Sequence, residues 1–119
     1  MAVTEFYHYF PPNDEEARRY KKERIIESVN RQGAPNPRGT WWTPERYDYR
    51  DVARAELALD YLPEYRVGPI PSDRMPDFDK PLRPVAATAK QPGGGVEAHT
   101  MGKVFIFGLY NFSKKDWEM

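Results

Sequence analysis

The stretch Val3-Thr-Glu-Phe-Tyr-His-Tyr-Phe-Pro-Pro12 decides how the rest of the chain is interpreted. It places four aromatic residues within five positions and ends in a double proline, which forbids continuation as a helix or as a central strand. One interpretation is an extended arm over residues 1–12, whose rings contact a partner at little cost in rotamer entropy. The other is a single edge strand of the protein's own sheet. The residues favour neither.

The same aromatic excess extends over the whole chain. Its 119 residues include 8 Tyr, 6 Phe and 3 Trp, whereas Val, Ile, Leu and Phe together account for only 22. Protein cores are built mainly from aliphatic residues and Phe, and surfaces that bind partners are enriched in aromatic residues. The composition therefore predicts a polypeptide that is ordered mostly by contact with a larger body.

Charge and cysteine content exclude several classes of function. The 18 basic and 18 acidic residues cancel, which argues against a dedicated nucleic-acid binder. The absence of cysteine removes disulfides, thiolate catalysis and cysteine-ligated metal sites, and it favours a cytoplasmic location. No apolar stretch reaches the length of a signal peptide or of a membrane span, so no direct membrane insertion is expected.

Residues 13–62 predict a hub of two helices. The first begins near Asn13, which forms a capping-box pattern with Glu16, and ends near Gln32. Its firm contacts are expected in the C-terminal half, where apolar residues cluster on one face.

The second helix of the hub follows two adjacent tryptophans. Thr43 is placed to cap it, Pro44 occupies the tolerated first position, and Pro63 ends it at Leu62. A later start at Asp48 is an alternative. This helix is expected to pack against the first.

Residues 63–102 predict an extended strap. The stretch holds seven of the twelve prolines and the triple glycine Gly93-Gly94-Gly95. Spaced prolines favour an extended conformation, in which some thirty residues reach on the order of 90 Å across a neighbour. A disordered linker is the alternative, although isolated apolar residues along the stretch are spaced like anchors.

Residues 103–119 predict a terminal strand and a C-terminal turn. The apolar run from Lys103 to Tyr110 shows no clean alternation, which indicates burial on both faces. A lone strand needs a partner, either residues 3–10 or the sheet of another subunit. The predicted fold is therefore mainly α with extensive irregular structure: a two-helix hub, a long Pro-rich extended strap and one short terminal β ribbon or added strand, in a non-globular subunit.

Candidate chemistry is sparse. His8 and His99 lie beside the two terminal segments, but two imidazoles make a poor metal site unless Glu5 or Glu97 completes it. The triple glycine lacks the Gly-Lys-Ser/Thr ending of a phosphate loop and is interpreted as a flexible turn. No catalytic residue, metal or cofactor is predicted.

The functional hypothesis is a non-catalytic small structural subunit that wraps larger subunits of a soluble multi-subunit enzyme, as an obligate hetero-oligomer without nucleic acid. Alternatives are a peripheral accessory subunit of a membrane-associated complex, a small enzyme or metal site using His8 and His99, and RNA binding through arginines beside aromatic residues. The residues expected to anchor a protein partner are Phe6, Tyr7, Tyr9, Phe10, Trp41, Trp42, Phe78, Phe105, Phe107 and Trp117.

Overall fold

The aromatic stretch near the N-terminus forms a strand in the chain's own sheet. The structure is a computed structural model, and it describes residues 4–10, 20–26, 40–100 and 104–118. In chain order its elements are β1 (Glu5–Phe10), β2 (Ile25–Ile26), β3 (Thr40–Trp42), helix α1 (Arg50–Glu56), β4 (Tyr65–Pro71), a 3-10 turn (Ser72–Arg74), β5 (Phe78–Pro84), β6 (Val96–Thr100), β7 (Val104–Phe105), β8 (Leu109–Asn111) and β9 (Asp116–Glu118).

These strands form three antiparallel sheets. The largest has the order β1-β4-β8-β9, the second has the order β3-β6-β5, and β2 pairs with β7. In the largest sheet Phe10 lies opposite Tyr65 and Tyr9 lies opposite Arg66. The first two sheets are joined at one backbone bridge between Tyr7 and Thr43.

Both faces of β1 carry buried side chains, and this explains why four of the five residues from Phe6 to Phe10 are Phe or Tyr. Phe6 and Phe10 enter one hydrophobic core, whereas Tyr7 and Tyr9 enter a second core on the opposite face. Successive side chains of a strand point to opposite faces, so a strand between two cores needs apolar residues on both of its faces. Of the two interpretations of this stretch, the edge strand is therefore the one that the structure has.

The prediction of a mainly α fold is wrong, because the described residues are mainly β. Residues 13–19 and 27–32 of the first predicted helix lie outside the described residues. Residues 20–23 are helical, but Ile25 and Ile26 pair with Phe105 and Val104 in a sheet. The second predicted helix shrinks to α1, because the backbone of Thr43 is held by Tyr7.

The predicted strap is folded back on itself. Its residues supply β4, β5 and β6, and β5 pairs antiparallel with β6. Pro81 and Pro84 are tolerated because β5 is an edge strand. The molecule measures 35 × 34 × 32 Å with a radius of gyration of 13.7 Å, close to the roughly 14 Å of a compact chain of this length. The prediction of a non-globular subunit is therefore also wrong.

The predicted terminal strand is divided between two sheets. β7 pairs with β2, whereas β8 lies between β4 and β9, so neither pairs with β1. Val104 and Ile106 are buried while Phe105 and Phe107 are exposed. Burial on both faces was therefore the wrong interpretation of this run.

Candidate functional site

A cavity of about 420 Å³ lies along the junction of the two larger sheets. Its volume falls in the range of roughly 300–1,000 Å³ that is usual for small-molecule sites. The wall is formed by three segments, residues 7–9 of β1, residues 41–43 around the end of β3 and residues 57–61 after α1, together with Glu97 of β6. The cavity thus combines aromatic surface with a histidine and two carboxylates.

The cavity runs along the place where β1 and β3 meet. The amide of Tyr7 donates to the carbonyl of Thr43 at 2.8 Å, and the amide of Thr43 donates to the carbonyl of Tyr7 at 2.9 Å. Next to this bridge the two segments are connected through a side chain and not through backbone amides. His8 Nδ1 lies 2.9 Å from the Trp41 carbonyl oxygen. A register shift between Phe6 and His8 accompanies the change. The His8 ring is thereby fixed in the cavity wall.

The aromatic wall is held in place by hydrogen bonds. Trp42 Nε1 donates to Thr100 Oγ1 at 3.0 Å, and the Tyr61 hydroxyl donates to the Tyr9 carbonyl at 3.2 Å. The Tyr9 hydroxyl accepts from the amide of Tyr47 at 2.6 Å and donates to a backbone carbonyl at 3.1 Å. Burial raises the pKa of Tyr9 above its ordinary value, so this hydroxyl stays protonated at neutral pH.

The segment after α1 forms the facing wall through a tight helix end. The amide of Leu59 donates to the Arg54 carbonyl at 2.9 Å, and the amide of Ala58 donates to the Ala55 carbonyl at 3.4 Å. This is the pattern of a Schellman motif, in which the residue after the cap takes a left-handed conformation. Ala58 adopts this conformation at a φ angle of 51°, which brings a steric cost for its Cβ. Backbone strain of this kind lies directly in the cavity wall.

Glu97 is positioned by the triple glycine. The amides of Gly93 and Gly95 donate to the carbonyls of Ala55 and Glu56, each at 3.0 Å, and so cap the C-terminal end of α1. The interpretation of these glycines as a flexible turn is therefore replaced by a structural role. Since β6 begins at Val96, the cap fixes Glu97 relative to the segment that follows α1.

Two cationic side chains near Glu97 pack against the ring of Trp41. Arg83 Nε lies 3.2 Å from Glu97 Oε1. The Arg83 guanidinium carbon is 4.9 Å from the centroid of the Trp41 ring, and Lys80 Nζ is 5.2 Å from it. Cations at these distances are attracted by the electron-rich face of an indole. Trp41 is thus a cation-binding surface at the edge of the cavity.

The ten residues predicted to bind a partner fall into three groups. Five are buried in the chain's own cores, two are half-buried, and three are exposed. The buried ones are Phe6, Tyr7, Tyr9, Phe10 and Trp42, the half-buried ones are Trp41 and Phe78, and the exposed ones are Phe105, Phe107 and Trp117. The cavity gathers Tyr7, Tyr9, Trp41 and Trp42.

The exposed group forms a second candidate surface. Phe105, Phe107 and Trp117 are 72%, 70% and 43% exposed. Phe107 lines two shallow depressions of about 330 and 230 Å³, one shared with Phe105 and the other with Trp117. The Arg24 side chain donates to the Phe107 carbonyl, which fixes the backbone beneath this apolar surface.

His8 and His99 contact the same tryptophan in different ways. His8 binds the backbone carbonyl of Trp41, whereas the His99 ring lies 4.7 Å from the Trp41 indole, and His99 is buried. Within the described residues no group of three or more histidines and carboxylates is arranged to hold a metal ion. Equally, no helix in that part of the chain is long and apolar enough to cross a membrane.

Sequence reasoning missed Asp60 and Tyr61 and gave Glu97 only a secondary role. Asp60 and Tyr61 reach the cavity because the helix ends at residue 56 rather than 62, and no local pattern marks that end. One sequence feature could have indicated the position of Glu97, namely the triple glycine directly before Val96 and Glu97. Three glycines in a row allow a close backbone approach, and such an approach can fix the residues that follow.

Comparison with protein-family models, with curated proteins and with solved structures found no match for this chain. The function is therefore argued from the geometry of the cavity and of the exposed apolar surface.

Proposed function

We propose that this protein binds a small organic molecule in the cavity between its two larger sheets. The observation that carries the proposal is the convergence of His8, Asp60 and Glu97 on one aromatic-walled cavity of about 420 Å³. Small-molecule sites are mostly apolar hollows with a few placed polar groups, and this cavity has that composition. The proposal develops the alternative of a small site using His8, with Glu97 rather than His99 as its companion.

Preorganisation supports this proposal. His8, Tyr9, Tyr61 and Trp42 are each held by a hydrogen bond to another segment of the chain. A wall that is ordered before binding loses little conformational entropy when a ligand arrives, and this favours affinity. The strained Ala58 adds a second sign, since left-handed non-glycine residues concentrate at functional sites.

The indole signals of the three tryptophans test the proposal. We would titrate the ¹⁵N-labelled protein with small planar compounds, namely indole, quinoline and phenol. Binding in the cavity shifts the Nε1–H signals of Trp41 and Trp42, which line it, and leaves that of Trp117 in place as an internal control. If the Trp41 and Trp42 signals stay unchanged with all three compounds and also with the charged analogues N-methylquinolinium and quinoline-2-carboxylate, the proposal is wrong.

A second candidate function is docking of a larger protein on the exposed apolar surface. Phe105, Phe107 and Trp117 favour it, because aromatic residues are enriched where proteins bind one another. This retains a protein partner while giving up the wrapping strap. Co-production with the products of adjacent genes, followed by sedimentation velocity, tests it. A faster-sedimenting complex that is lost in the Phe105→Ser/Phe107→Ser double variant supports docking, and a monomer in both cases contradicts it.

A further inference from the structure

We infer that the ligand of the cavity is an organic cation with a planar ring. This inference rests on the proposed function and adds the chemical class of the ligand. It follows from the charges of the residues that line the cavity and from the contacts that the Trp41 ring makes with two cationic side chains of the chain itself.

The ionisable groups of the wall are acidic apart from one histidine. Asp60 and Glu97 supply carboxylates, and no lysine or arginine is among the described residues that line the cavity. His8 uses Nδ1 to bind the Trp41 carbonyl. A ligand entering this space therefore meets carboxylate oxygens, which favour a positive charge.

Glu97 has binding capacity left. Its Oε1 contacts Arg83 Nε at 3.2 Å, and no group in the described ranges bonds to its Oε2. The carboxylate is partly exposed, with 20% of its side chain accessible, whereas the Arg83 side chain is 53% accessible. An ion pair this exposed is weak, so a ligand cation can share or replace Arg83 at low cost.

The Trp41 ring provides the second element of cation recognition, an aromatic face that attracts positive charge. Two cationic side chains lie within 5.2 Å of its ring centroid. Aromatic rings beside carboxylates are the combination that recognises organic cations, because the ring face and the carboxylate attract the same charge. Lys80 and Arg83 are both exposed and lie against the ring of Trp41, which lines the cavity. They therefore also define the competing outcome, an anionic ligand bound by these two side chains.

Three probes of one shape distinguish these outcomes. N-methylquinolinium is a cation, quinoline is neutral at pH 7.5, and quinoline-2-carboxylate is an anion. We expect the cation to bind the wild-type protein on the order of 10-fold more tightly than quinoline, since a desolvated cation–π contact is worth roughly that factor. Calorimetric or fluorescence titrations at constant ionic strength measure all three affinities.

Two variants assign the preference to Glu97. Glu97→Gln is expected to reduce the preference for the cation over quinoline to less than about 3-fold, because the substitution removes the charge and keeps the shape of the side chain. Arg83→Gln removes a competitor for the same carboxylate and is expected to tighten cation binding. Asp73→Asn, an exposed carboxylate that does not line the cavity, is the matched control and leaves all three affinities unchanged.

Each result decides the inference. Equal binding of cation and quinoline, or tighter binding of the anion that is lost in Arg83→Gln, overturns the assigned class while the proposed function stands. Failure of all three probes together with indole and phenol overturns the proposed function itself. Circular dichroism of each variant establishes that the fold is retained, and Arg83→Gln still tests the inference if Glu97→Gln does not fold.

Discussion

The amide of Gly95 donates a hydrogen bond to the carbonyl of Glu56 over 3.0 Å. This contact joins the end of α1 to the start of β6. The residues that line two sides of the cavity follow directly after the two bonded residues. The segment 57–61 follows Glu56 on one side, and Glu97 follows Gly95 on the other. A Cβ on Gly95 would lie 2.8 Å from the Tyr47 hydroxyl, so the approach depends on glycine.

Replacement of Gly68 by alanine should destabilise the fold strongly. Its φ is 117°, and a Cβ there would lie 2.5 Å from the Phe6 carbonyl oxygen. We expect Gly68→Ala to lower the free energy of unfolding by about 3 kcal/mol, as measured by urea denaturation. Gly94→Ala is the matched control, because its φ is also positive, at 99°, but no atom lies within 4 Å. Equal losses in the two variants would show that the close approach at Phe6 is absent.

The buried Arg66 should contribute a large part of the stability of the second core. Its guanidinium carbon lies 4.6 Å from the Tyr110 ring centroid, and its Nη1 donates to the Tyr47 carbonyl at 3.0 Å. Arg66→Ala removes these two interactions together with the 3.5 Å ion pair between Arg66 Nη1 and Asp48 Oδ1, and we expect a loss of about 3 kcal/mol in urea denaturation.

The matched control for Arg66 is Arg46→Ala. Arg46 is paired with Asp48, and both side chains are exposed, so this change is expected to cost less than about 0.5 kcal/mol. A loss below 1 kcal/mol for Arg66→Ala would contradict the role given to its cation–π contact.

Relief of strain at Ala58 should stabilise the protein. Glycine adopts a φ of 51° without steric cost, so we expect Ala58→Gly to raise the free energy of unfolding by about 0.5–1 kcal/mol. The same substitution at Ala55, inside α1, is expected to lower it by about 1 kcal/mol. Thermal and urea unfolding of both variants measure the two signs, and destabilisation by Ala58→Gly would contradict the Schellman geometry.

Stability should fall at alkaline pH because of a buried tyrosine. Burial raises the pKa of Tyr47 from 10.0 to about 12. Between these values the unfolded state has lost the proton that the folded state still holds, so the free energy of unfolding decreases as pH rises. We expect this loss between pH 10 and 12, and full stability below pH 10.

Tyr47→Phe isolates this effect. No partner binds the Tyr47 hydroxyl among the described residues, so its removal should cost little at pH 8. Urea midpoints at pH 9 and pH 11 should differ less in Tyr47→Phe than in the wild type, and the remaining difference is assigned to Tyr9, whose pKa is also raised. An unchanged difference between the two midpoints would contradict the burial of the Tyr47 hydroxyl.

Local sequence patterns predicted part of the fold. A strand at residues 5–10 was one of two interpretations of the aromatic stretch, and residues 104–110 do contain strand. What misled was the assumption that a core needs aliphatic residues. Each buried Phe, Tyr or Trp removes roughly 150–250 Å² from water, so rings such as Phe10 and Tyr65, stacked at 5.1 Å, replace the missing aliphatic side chains.

The candidate site was only partly accessible to sequence reasoning. His8, Trp41 and Trp42 were named from their residue types, but their meeting depends on the pairing of β1 with residue 43, which no local pattern encodes. Pro81 and Pro84 favoured the prediction of an extended strap. An edge strand tolerates proline, but the sequence does not show that this segment pairs with β6 as an edge strand.

The most direct test of the ligand site is the position of a bound probe. We would record intermolecular nuclear Overhauser effects from the N-methyl protons of N-methylquinolinium in the complex with the wild-type protein. Contacts to Trp41 and Tyr61 are the predicted result, because both side chains line the cavity. Contacts confined to Phe107 and Trp117 would place the ligand on the exposed apolar surface and contradict the account.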